Sequence, residues 1–178
     1  MSEISLMTNA EHTMSVPAFG KSPQMQFDLS KIRTAESRLL EAKNVNPSTY
    51  ADLESCFGES YRDLRRHLTT IEHQLNLADK ALRQAKAEVL LDKYPQFLEE
   101  KSIKKTQDNG DLRDAFLMRD EEYLAAIDRI NMLKAMQSNF DGKIKVIENV
   151  CRFMKKAIDL VLRSGLSNQN LYVTSGRK

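Results

Sequence analysis

Three histidines, two cysteines and 25 carboxylates are the residue types in this 178-residue chain that could support acid–base, nucleophilic or metal chemistry. His12 lies in an N-terminal stretch without periodicity. His67 and His73 stand six residues apart on one predicted helix, a spacing that puts them on different faces and does not suit a shared metal ion. Cys56 lies beside the seam residue Phe57 and Cys151 lies on a seam. Both read as small buried hydrophobes, and two cysteines make no disulfide framework. The carboxylates fall on helix surfaces, where solvation accounts for them. A phosphate-cradling glycine loop, a dinucleotide glycine motif and a nucleophile elbow are all missing. The expectation is a protein that is not an enzyme, with no catalytic residue, no metal site and no cofactor.

The basic residues are more informative. One group is Arg62, Arg65 and Arg66; a second is Lys101, Lys104 and Lys105; a third is Lys143, Lys145, Arg152, Lys155, Lys156 and Arg163. The formal net charge of +2 hides an asymmetry. Residues 142–178 hold eight basic and two acidic side chains, a local charge of +6, and residues 1–141 carry −4. A basic end on an acidic body suits an anionic partner or an acidic protein neighbour. A solvated helix face is the plainer alternative. Phe140 and Phe153 stand among these cations as stacking candidates, although packing explains them better.

These residues are placed by long helices. From Phe116 to Val161 the apolar positions Phe116, Tyr123, Ala126, Ile130, Leu133, Phe140, Ile144, Ile147, Cys151, Met154, Ile158 and Val161 follow a heptad seam, with Arg119 and Gln137 as polar interruptions. A second seam, Phe57, Tyr61, Leu64, Leu68, Ile71, Leu75, Ala78, Leu82, Ala85 and Val89, predicts another long helix over 48–93. Asn46-Pro47 suits its start, as a capping side chain followed by proline at the first helical position. Tyr94-Pro95 is expected to end it. Asp108-Asn109-Gly110 marks the turn, and Gly165 is expected to cap the last helix. Two long helices with a short connection run antiparallel. The predicted fold class is therefore all-α: a long antiparallel, coiled-coil-like helical hairpin with a short N-terminal helix at Ser30 to Lys43 and flexible termini. The expected organisation is a flexible arm over 1–29, a hairpin domain over 30–165 and a polar tail over 166–178. Met14, Val16, Phe19, Met25 and Phe27 offer a short docking segment within the arm.

A second stripe, Val146, Val150, Phe153, Ala157 and Leu160, runs beside the seam at its C-terminal end. One helix contact needs one stripe, so this one is expected to build a homo-oligomer. The competing expectation is that Ser30 to Lys43 folds back over it within one chain. No run approaches 18 apolar residues and no secretory leader is evident, so a cytoplasmic protein without a membrane span is expected.

The layout also resembles a family. "AEVLLDKY" (Ala87 to Tyr94), a basic turn with Lys105-Thr106, and "FMKKAIDLVLRSGLS" (Phe153 to Ser167) are similar to the UvsY-type recombination mediators of T-even-like phages over roughly residues 48–167. The resemblance implies an oligomeric, non-catalytic, single-stranded DNA-binding protein of DNA recombination and repair. Such a protein helps a recombinase replace single-strand-binding protein, in the host cytoplasm for a phage. The family carries basic residues just before Leu-Asp-x-Tyr. Here Glu88 and Leu90 stand closest, with Arg83 and Lys86 a turn earlier. The candidate nucleic-acid-binding residues are Arg83, Lys86, Lys101, Lys104, Lys105, Lys155 and Lys156. The residues alone also suit a structural coiled-coil protein, whether virion, scaffold or adaptor, or a helical chaperone that clasps a partner helix; neither requires nucleic-acid binding.

Overall fold

The computed structural model describes residues 13–17, 24–104 and 108–174, with side chains described to Ser164 apart from Pro17. Two strands come first, β1 (Thr13–Pro17) and β2 (Gln24–Asp28), followed by α1 (Ser30–Ser37) and α2 (Leu39–Lys43). Then come α3 (Pro47–Glu88), a π-helical turn (Val89–Lys93), α4 (Tyr94–Glu100), α5 (Gly110–Leu117) and α6 (Glu121–Thr174). The fold is an all-α helical hairpin whose arms are α3 and α6. The chain divides into two compact units, one holding β1 to Val16, residues 24–67 and residues from 140 onward, the other residues 68–139.

In the first unit, Leu53, Phe57 and Leu64 of α3 are buried, as are Ile144, Ile147, Met154 and Ile158 of α6. Each such side chain contributes roughly 1.5–3 kcal/mol on burial. Arg65 reaches Glu148 (3.7 Å), and Tyr50, earlier on α3, feels the charge of Asp159, later on α6. The arms are therefore antiparallel here. Asn46 starts α3 as expected. Its Oδ1 accepts from the backbone N–H of Ser48 (3.0 Å) and Thr49 (3.1 Å), and Thr49 Oγ1 accepts from the Asn46 N–H (3.2 Å). Pro47 stands at the first helical position, where an N–H would have no helical partner anyway.

Among the described residues, 13–17 and 24–28 correct the expectation of a structureless arm. β1 and β2 pair in a two-stranded sheet, with Val16, Met25 and Phe27 buried. An isolated hairpin of this size is marginal in water, so its stability comes from the helices beneath. His67 supplies the fastening. Its Nε2–H donates to the Asp28 carbonyl (2.8 Å), which requires the proton on that nitrogen. Its ring meets Phe27 edge-on (centroids 5.1 Å apart), and Phe27 meets Phe140 in the same manner (5.9 Å). The predicted N-terminal helix is likewise two pieces. Arg38 interrupts it, donating to Glu41 (2.9 Å) and pairing with Asp52 (2.6 Å).

In the second unit, Leu68, Ile71, Ala78 and Val89 are buried, with Leu117, Ala126, Ile130 and Leu133. Tyr94-Pro95 does not end the helical path. Five residues of π-helix lie just before Pro95, where an α-helix would set the proline ring against the carbonyl four residues back; the wider turn absorbs the clash. Tyr94 is buried beside Phe97 and Phe116, which lie 4.8 Å apart by ring centroids. Its hydroxyl donates to Asp108 (2.8 Å). The Arg113 guanidinium beside Asp108 (2.7 Å) holds that carboxyl below its ordinary range, with help from the Tyr94 hydroxyl.

The last predicted helix is also interrupted. α5 stops at Leu117 and α6 begins at Glu121. Asp120 makes the break: its side chain accepts from the Tyr123 N–H (3.0 Å) and from Lys93 Nζ (2.6 Å). The Lys93 ammonium is the main reason the Asp120 carboxyl sits below its usual range. The far end differs too, because α6 continues through Gly165 to Thr174. An interior glycine costs a helix only ~1 kcal/mol, and no proline follows. The part of the predicted polar tail over 166–174 is thus helical.

Candidate nucleic-acid interface

The sequence candidates fall in both units. Arg83 and Lys86 lie three residues apart on α3 and are exposed, so they are neighbours on one helix surface. The Leu-Asp-x-Tyr segment that follows them forms the π-helical turn and the start of α4. Leu91 projects from it (73% exposed) while Tyr94 is buried. Lys101 and Lys104 flank the end of α4 and are exposed. There the Ser102 N–H bonds the Glu99 carbonyl (3.0 Å) and the Ile103 N–H bonds the Leu98 carbonyl (3.0 Å). Ser102 holds φ 52°, a Schellman cap with serine where glycine is usual. Lys105 lies outside the described residues.

In the first unit, Lys155 and Lys156 are exposed on α6. Within the third basic group the helix lines up Lys156 with Lys145, Arg152 and Arg163. Lys145, Arg152, Lys156 and Arg163 follow a 7-4-7 spacing, which at 100° per residue puts all four within about 20° of one line. The row extends about 27 Å along the axis. Lys155 lies roughly a quarter turn or more away from it. All four are exposed, and none makes an ion pair among the described residues. Other cations are committed to the fold: Lys31 to Glu59 and Asp63, Arg38 to Glu41 and Asp52, Lys93 to Asp120, Arg113 to Asp108, and Lys143 to Glu36.

The second stripe runs about a quarter turn from this row. Phe153 (50%), Val146 (48%) and Leu160 (67%) are exposed, whereas Val150 and Ala157 are half-buried. Val161, expected on the hairpin seam, is instead 46% exposed. Cys151, also expected there, is half-buried, and burial pushes its thiol above the ordinary range. His67, weighed from sequence only as a metal ligand, is committed to fastening β2, and its mate His73 is exposed. Among the described residues no group of three or more His, Cys, Asp or Glu is placed to hold a metal ion. Among them, too, no helix is long and apolar enough to cross a membrane.

Fold and surface together define a class: an all-α hairpin whose notable surface is a row of cations, without ion pairs among the described residues, beside an exposed apolar stripe. No protein-family model, curated protein or solved structure matches the chain.

Proposed function

We propose that this protein is a non-catalytic mediator of DNA recombination and repair that binds single-stranded DNA, in the manner of the UvsY-type phage family it resembles. On this reading it assists a recombinase in displacing single-strand-binding protein in the cytoplasm of an infected cell. The observation that carries the reading is the row Lys145, Arg152, Lys156 and Arg163. Cations that serve the fold are held by carboxylates, and these four are not. An extended polyanion satisfies such a row without any base-reading geometry, so binding is indifferent to sequence. Copies of the chain assemble along Val146, Val150, Phe153, Ala157 and Leu160, which lines up the rows of several copies. Arg83, Lys86, Lys101 and Lys155 act as secondary contacts.

Replacing the four row residues together with alanine tests this reading. The log–log salt slope for a labelled single strand is expected to shrink by about 3, since each phosphate contact on a single strand contributes ~0.7. Replacing Arg83 and Lys86 with alanine should have a smaller effect. Unchanged affinity in the fourfold variant removes α6 as the DNA surface.

A further inference from the structure

One wall of the exposed stripe is provided by the chain itself. Leu39, Leu40 and Ala42 of α2 face Val146, Val150 and Phe153 of α6 across an open apolar groove of about 870 Å³. The segment covers the stripe incompletely. Leu40 is 71% exposed, and Val146 and Phe153 remain about half exposed. Its hold is modest. α1 and α2 span eight and five residues, meet at a break held by the Arg38 N–H on the Ala35 carbonyl, and have no side-chain hydrogen bond from either N-cap residue. Only Ile32, Ala35 and Ala42 are buried. The remaining ties are ion pairs that each have one exposed partner: Lys31 to Glu59 and to the buried Asp63, the half-buried Arg38 to Asp52, and Glu36 to Lys143. Surface pairs contribute little and weaken with salt. A short segment with few buried contacts belongs to the low-stability end of local opening.

We infer that α1–α2 is a movable cover that competes with a second copy of the chain for the α6 stripe. Closed, it shields the Val146–Val150–Phe153 end; open, it leaves the stripe continuous from Val146 to Leu160. The inference rests on the assembly reading above. It adds that the segment before α3, which the resemblance does not span, limits assembly instead of building it. Two ligands for one face exclude each other, so while the closed form dominates, whatever loosens the cover tightens self-association in proportion.

The experiment is sedimentation of the full chain across concentration, with hydrogen exchange on the same samples. Ile32→Ala removes buried contact from the cover alone. It is expected to speed exchange over 30–43, leave α3 and α6 protected, and tighten self-association about tenfold or more. Glu36→Gln with Arg38→Gln alters an exposed carboxylate and a half-buried guanidinium, both outside the buried helical core; its expected tightening is about threefold. A wild-type chain that associates while both variants associate equally or more weakly overturns the cover and leaves assembly standing. A monomeric wild type passes the decision to Ile32→Ala. If Ile32→Ala then associates, the cover stands in a stronger form; if it too stays monomeric, both readings fall.

Discussion

Phe140→Ala is expected to lower stability by about 3–5 kcal/mol, the range for removing a large buried aromatic side chain. Phe140 is 4% exposed and lies 5.9 Å from both Phe27 and His67 by ring centroids. The truncation therefore opens a void under β2 and loosens the ring that holds the Asp28 carbonyl. Phe27→Ala attacks the same cluster from the strand side. It should release β1 and β2 while leaving most helical signal intact, because the helical core of Leu53, Phe57, Leu64, Ile147 and Met154 does not depend on it. Denaturant midpoints measured with circular dichroism check both variants. A Phe140→Ala loss under about 1 kcal/mol would mean that the cluster is not packed as described.

The second large effect concerns assembly. Phe153 and Leu160 are 50% and 67% exposed, so replacing both with serine removes apolar surface without opening the hairpin core or altering charge. If copies pack along this stripe, the variant loses two large contacts per protomer, each worth roughly 1.5–3 kcal/mol. Association should weaken by about 100-fold or more. Affinity for a long single strand should fall with it, because linked rows gain by a factor of about 10²–10⁴ over a single row. Affinity for an oligonucleotide that spans only one row should hardly change. Sedimentation and anisotropy on the same protein measure both quantities. A double variant with unchanged mass and undiminished long-strand affinity would exclude the stripe as the contact between copies.

Much of this architecture was readable from residues. The two heptad seams predict both arms, and Asn46-Pro47 predicts the start of α3. What was missed has definite physical causes. Met25 and Phe27 alternate with Gln24, Gln26 and Asp28, the period of a half-buried strand. Five residues carry too little of that pattern to outweigh the surrounding Pro17, Gly20 and Pro23, and the strand exists because His67 and Phe140 lie under it. The break at Asp120 was concealed by the heptad count. Phe116 and Tyr123 keep a seven-residue spacing across three non-helical residues, and only the capping bond to Tyr123 and the Lys93 contact reveal the interruption. Pro95 signalled a stop, yet a π-helical turn carried the path past it. The cation row was present as a 7-4-7 spacing. Its prominence needed the ion pairs, which separate the cations held by carboxylates from those that, among the described residues, are not.

The central claim is that this row binds a phosphate backbone. The direct test is the affinity of the unaltered chain for an unstructured single-stranded oligonucleotide at several salt concentrations. With at least the four row cations engaged per protomer, log Kd against log salt should change with a slope of about 3 or more in magnitude, whatever the base sequence. No binding at low salt, or binding that salt does not weaken, would contradict it.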